Sequence, residues 1–284
     1  MNFWSIQLLN GLSLAMVLFL LSAGLSVIFG LMRIINLAHG SFYLIGGYIG
    51  LTVIERSGSF WFGLAIAPIL VGLLGVILQR LLLRRVQHDE LSQVLLSFGV
   101  LLVCSDVALT LWGGLPQTLP RPEALDGTIK LGTIVFPMYR MALAMAGIAV
   151  AGILWLLLGR TKVGARVRAS VDDEEMARGI GINTGAVFAG VFGLGAALAG
   201  MAGVLGGAML GVYPGADFDV ILLAFAVVVI GGLGSLRGAL VGSLFIGIAN
   251  TLGNALMPQF ALFTVFVPMV AMLAFRPSGF FGRS

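Results

Sequence analysis

The stretch FDVILLAFAVVVIGGLGSLRGALVGSLFIGIANTLGNAL, residues 218–256, decides how the chain is counted. It reads either as one long apolar helix or as two helices that meet at GGLGSLRG (231–238). One helix would bury Arg237 in hydrocarbon, where an arginine costs roughly 3 kcal/mol or more. It would also carry Arg276 and Arg283 to the opposite membrane face. Two helices leave Arg237 at a surface, with glycines where the backbone must break. We therefore read two spans.

The same signal runs through the whole chain. Its 284 residues are 59% hydrophobic and 10% charged, with 41 glycines, and the mean hydropathy is +1.09. That composition excludes the soluble globular classes and marks a polytopic membrane protein. A hydrocarbon layer about 30 Å thick needs roughly 20 apolar residues per helix. Apolar runs fall at 6–31, 37–54, 60–79, 92–112, 138–158, 186–211, 218–232, 238–256 and 260–275. The expectation is an all-α, polytopic transmembrane helix bundle of eight to nine spans with glycine-broken helices, one domain over 1–284. The first run, Ile6 to Gly30, has no basic residue ahead of it and reads as an uncleaved span.

Charge sets the orientation. With the N-terminus outside, basic residues gather on the cytoplasmic side, as short loops require. These are Arg33, Arg80, Arg84, Arg85, Arg160, Lys162, Arg166, Arg168, Arg178, Arg237, Arg276 and Arg283. Only Arg56, Arg121, Lys130 and Arg140 fall outside. These cations form no patch with interleaved aromatics, so nucleic acid is a poor partner. The single cysteine, Cys104, excludes an intrachain disulfide and lies in an apolar run. With two histidines, His39 and His88, and no HExxH, no metal set can be assembled.

Two junctions look alike. VIFGLMRIINLAHGSFYLIGGYIG (27–50) and VVVIGGLGSLRGALVGSLFIG (227–247) each run from an apolar segment through glycine and one arginine into a small-residue helix. Such pairs point to repeats and discontinuous helices in transporters, although so glycine-rich a chain also produces the likeness by chance. In AGVFGLGAALAGMAGVLGGAMLG (189–211), Gly195, Ala199, Gly203, Gly207 and Gly211 recur every fourth residue. That spacing is a helix-packing face.

The largest cluster of charge is RASVDDEEMARGIGIN, residues 168–183. Ser170 or Asp172 suits an N-cap, acids 172–175 suit a first turn, and Arg178 lies near the end. Glu174 and Arg178 are spaced i, i+4 in the favourable order. Gly179 and Gly181 end the turn, and Asn183 caps the next span. The result is a two-turn amphipathic helix standing off the membrane. Either it only reverses the chain, or it docks in a partner's groove.

RASVDDEEMARGIGIN followed by a glycine-rich span resembles the cytoplasmic coupling loop of ABC importer permeases. GLMRIINLAHGSFYLIGGYIG (30–50) and IGGLGSLRGALVGSLFIG (230–247) are similar to the early and late motifs of the branched-chain amino-acid permease family. The three matches lie in order and cover most of the chain. The resemblance implies an inner-membrane subunit for branched-chain or related amino acids or amides. Its expected partners are a second, paralogous permease, two ABC ATPase subunits and a periplasmic solute-binding protein. It places a coupling loop at 160–183, with Asp173, Glu174, Met176, Ala177, Gly179, Ile180 and Gly181 docking on the ATPase. It implies no cofactor on this chain, with ATP and Mg on the ATPases. No GxxxxGK[ST] loop occurs in the sequence, which agrees.

Several polar residues stand in apolar surroundings. Asn36 and His39 either cap the second span or touch solute or a gate, with Ser41 beside them. Asp106 is either a polar anchor or a path residue. Asp217, Asp219, Glu123 and Asp126 read as solvated external acids. Asn250 and Asn254 either bond across helices or meet solute. An ATPase-independent secondary transporter or channel is the competing reading, and an intramembrane enzyme finds no nucleophile–base set.

Overall fold

The architecture is that of a computed structural model, which describes residues 2–32, 36–86, 89–132, 134–276 and 278–282. Arg33, Arg283 and His88, read above for orientation and metal binding, lie outside the described residues. In chain order the helices are α1 (Asn2–Met32), α2 (His39–Ser57), α3 (Phe60–Leu81), α4 (Glu90–Trp112), α5 (Met138–Arg160), α6 (Lys162–Asp172), α7 (Glu174–Gly179), α8 (Thr184–Leu210), α9 (Ala216–Gly231), α10 (Leu236–Leu256) and α11 (Ala261–Phe275). Between α4 and α5, strands β1 (Thr128–Leu131) and β2 (Ile134–Pro137) pair antiparallel, with Ile129 opposite Phe136. This short hairpin and an isolated antiparallel bridge between Gln117 and Val212 are the strand pairings among the described residues of an otherwise all-α bundle.

Seven described helices are long and apolar enough to cross a membrane: α1, α3, α4, α5, α8, α10 and α11 with its leading turn. That corrects the expected eight to nine. The apolar runs 37–54 and 218–232 do form helices, α2 and α9, but neither is an ordinary span. α9 has only 16 residues, about 24 Å at the usual rise, and α2 begins inside the bundle, as shown below. The break that decided the count is real. Gly232 and Gly234 take φ of +105° and +77° between α9 and α10, a conformation open to glycine. The C-terminal segment covers that break: Phe280 and Phe281 N–H donate to the carbonyls of Ile230 and Gly231, both at 2.9 Å. Helix-end carbonyls that would otherwise lack partners are thus satisfied.

α1 and α8 form the centre: 83% and 67% of their most apolar 18-residue stretches are buried, against at most 33% for the other spans. Lipid tails are as apolar as leucine, so helices join by close backbone approach, and glycine makes it possible. A Cβ on Gly24 of α1 would lie 2.5 Å from the Gly195 carbonyl oxygen of α8. One on Gly46 of α2 would lie 2.4 Å from the Gly200 Cα. The four-residue stripe on α8 does not serve a single partner: Gly195 meets α1, Gly203 meets the Tyr43 carbonyl of α2, Gly207 meets Leu119, and Gly211 lies just past the helix end. The two look-alike junctions touch, with the Gly234 Cα 3.0 Å from a Cβ built on Gly30.

Described basic residues separate by end. Arg80, Arg84, Arg85, Arg237, Arg276 and those of 160–178 gather where α1, α3 and α5 finish. Arg56, Arg121, Lys130 and Arg140 lie at the other end, where Arg121 Nε donates to the Ala208 carbonyl at 3.2 Å.

Candidate functional site

Within the bundle, α2 starts beside the middle of α1 and not at a membrane face. His39 Nε2 bonds the Leu21 carbonyl at 2.9 Å. A carbonyl only accepts, so Nε2 carries the proton and Nδ1 is left as an acceptor. α9 starts at the same place: a Cβ on Gly40 would lie 2.3 Å from the Asp217 carbonyl oxygen. The two N-termini meet, and from there α2 runs toward one end and α9 toward the basic end.

This meeting point collects buried polar groups. Asn36, His39, Ser41 and Asp217 are each 0% exposed. The Asn36 amide and His39 Nδ1 have no hydrogen-bond partner, and the Ser41 hydroxyl has only the Cys104 thiol beside it. The Asp217 carboxyl meets no cation and no side-chain donor among the described residues; only amides of its own turn lie near. Tyr48 and the Cys104 thiol lie within electrostatic reach of that carboxyl. Buried polar atoms are nearly always satisfied, so a knot of unsatisfied ones marks a place for a ligand, a water or a second conformation. Helix N-termini add positive potential to it.

The sequence reading is therefore partly redrawn here. Asn36 does not cap α2 through its side chain; its carbonyl accepts from His39 N–H at 3.3 Å. Asp217 is not a solvated loop acid, because the chain turns back into the bundle after α8. Asp219 does stay exposed, accepting from the Tyr213 hydroxyl at 2.7 Å. Asp106 lies on the exposed face of α4 and not in this knot. Asn250 is remote too. With Asn10, Arg140 and Asn254 it lines a cavity of about 320 Å³ at the end opposite the coupling segment 160–183, and its carbonyl accepts from Asn254 Nδ2 within the same helix at 2.8 Å. Asp217 was the missed residue. The signal available was an acid at the head of an apolar run too short to span.

At the basic end the segment 160–183 forms two helices. α6 runs through Asp172, so neither Ser170 nor Asp172 caps the next helix; Ser170 donates to the Arg166 carbonyl at 2.9 Å. Asp173 is extended and caps α7, accepting from Met176 N–H at 2.9 Å. Glu174 pairs with Arg178, and Arg178 Nε donates to Thr184 Oγ1 at 2.8 Å. α7 is thus tied to the start of α8. Ile182 N–H returns to the Ala177 carbonyl and Gly181 N–H to Arg178, both at 3.0 Å. This Schellman closure requires the left-handed φ of +87° at Gly181, whereas Gly179 has no such need. Asn183 caps α8, accepting from Ala186 N–H at 3.0 Å.

The apolar residues of α7 divide. Met176 and Ile180 are 64% and 68% exposed, one turn apart, and Ala177 is 2% exposed. Ala177 therefore seats α7 on its own chain, and the outward face is Met176 with Ile180. Among the described residues, no three His, Cys, Asp or Glu side chains group as metal ligands.

A family model described as the branched-chain amino acid transport system permease component matches residues 7–275. The high-affinity branched-chain amino acid transport system permease protein BraD of Pseudomonas aeruginosa is 28% identical, over 98% of this chain and 95% of its own. LivH of Escherichia coli K12, of the same description, is 29% identical over 98% and 95%. LivM of Escherichia coli K12 is 26% identical over 94% of this chain and 68% of its own. No solved structure matches the chain significantly.

Proposed function

Because the chain belongs to the branched-chain amino acid transport permease family, we propose that it forms the membrane path for branched-chain or related small amino acids or amides in an ABC importer. The observation that carries this reading is the family match over nearly the whole chain, including α7 with its outward Met176 and Ile180. The partners proposed are a second permease, two ABC ATPases and a periplasmic solute-binding protein. Both LivH and LivM of one organism resemble this chain, which supports pairing with a paralogue. The chain itself is a non-catalytic subunit of the bacterial inner membrane, with ATP and Mg held by the ATPases.

In this reading α7 docks on an ATPase through Met176 and Ile180. Asp173, Glu174, Gly179 and Gly181 shape and orient it. The knot of Asn36, His39, Ser41 and Asp217 is the gate: α2 and α9 part where their polar side chains lack partners. A zwitterionic solute suits it, its carboxylate toward the helix N-termini and its ammonium toward Asp217.

The test is assembly and uptake in proteoliposomes. ATP-dependent uptake is expected with the ATPase and binding protein present, and none without them. Met176→Asp is expected to reduce ATPase co-purification and uptake at least tenfold. Unchanged association in that variant sinks the docking assignment. The buried Asp217 favours one alternative, an ATPase-independent transporter, and uptake without any ATPase would establish it.

A further inference from the structure

The basic end holds a cavity of about 810 Å³ between the end of α3 and the start of α8. Its lining includes Gln79, Arg80, Arg84, Arg178, Thr184 and Gly185, with no acidic residue. Among the described residues Arg80 and Arg84 have no ion-pair partner, while Arg178 is turned toward the cavity by Glu174 and Thr184. The first-turn N–H groups of α8, at Thr184 and Gly185, have no acceptor within their helix. They bring the positive end of a 27-residue helix to the same space. Gln79 is 2% exposed, and its Oε1 has no partner.

We infer that this cavity seats the phosphate of an anionic phospholipid headgroup from the adjoining leaflet. The two unpaired guanidiniums of Arg80 and Arg84, with a helix N-terminus, specify an anion, and the apolar surroundings specify that it carries acyl chains. On α3, Leu73 and Ile77 are 55% and 52% exposed. They lie one turn apart on the helix face that leads to Arg80 and Arg84. The arginines thus crown an apolar track that points away from the protein, as a headgroup crowns its tails. An acidic segment of a docked protein would have no use for that track. Because Arg178 belongs to α7, a bound headgroup also braces the base of the docking helix. The site goes beyond the transport reading and does not depend on which solute is carried.

The probe is the purified full chain in nanodiscs of phosphatidylethanolamine, with and without phosphatidylglycerol, with retained lipid read by native mass spectrometry. The parent should retain phosphatidylglycerol selectively. The double variant Arg80→Gln, Arg84→Gln should lose about tenfold of that retention, while Arg56→Gln at the other end should lose none. Gly185→Asp puts a carboxylate at the mouth of the cavity, where a Cβ meets only Asn183 Oδ1 at 3.6 Å. It should also exclude the lipid, and it provides a second readout if the double variant folds poorly. Equal retention in parent and both variants overturns the site. So does displacement of the lipid by inorganic phosphate, which would make it a free-anion pocket. A parent with no lipid preference, whose cavity is protected only when the ATPase docks, overturns it in favour of an acidic protein segment.

Discussion

Glycines in this chain do different jobs that composition alone cannot separate. Gly46 and Gly152 both sit inside helices, yet a methyl on Gly46 would strike the Gly200 backbone while one on Gly152 meets nothing within 4 Å. Gly46→Ala is therefore expected to destabilise the chain by about 1–3 kcal/mol, the range for overpacking. Gly152→Ala should be neutral or slightly favourable, since alanine is the better helix former. Thermal denaturation of the detergent-purified variants checks both, and equal midpoints would contradict the α2–α8 crossing. The stripe on α8 was legible at this scale because its spacing needs no tertiary knowledge. The burial of Asp217 was not. Its burial depends on Gly40, 177 positions earlier, and no local pattern around ADFD carries that information.

Among the elements, α7 and the α2–α9 pair were visible to different degrees. The charge order of 168–183 located a short amphipathic helix, with Glu174 and Arg178 paired as their spacing predicts. Its start was misplaced, because Ser170 and Asp172 are as good caps by composition as Asp173. What decides among them is that α6 continues to Asp172 before the chain turns extended. Asp173→Ala should cost α7 about 1 kcal/mol of local stability, the usual loss of a cap. Hydrogen exchange at Met176 N–H should accelerate while α8 keeps its protection; no change at Met176 would show that Thr184 and Arg178 alone hold the helix. α2 and α9 were found as apolar runs, but their shared starting depth was not. Hydropathy records that a segment is apolar, not the level at which it begins.

The distribution of charge was the most readable property of the whole molecule. Described arginines and lysines sit at the end their loops assigned them to, and Arg237 sits beside the Gly232–Gly234 break. In a Cys104→Ala background, Lys130→Cys should react with an impermeant maleimide added outside intact cells, and Lys162→Cys only after lysis. The reverse pattern would invert the orientation. The span count was less readable, because two of nine apolar segments complete the interior instead of crossing on their own.

The centre of the bundle also has a history. α1 precedes all of its helical neighbours in the bundle and ends most enclosed, and several of its close approaches come from late in the chain: Gly195 against Gly24, Gly247 against Ala15 and Gly234 against Gly30. Until α8 and α9 are made, its Gly24 notch stays empty and Ser22, which ends buried beside the Ala224 carbonyl, stays uncovered. An early helix is held open for later ones. A nascent chain halted before α8 is an unfinished core and not a smaller working protein.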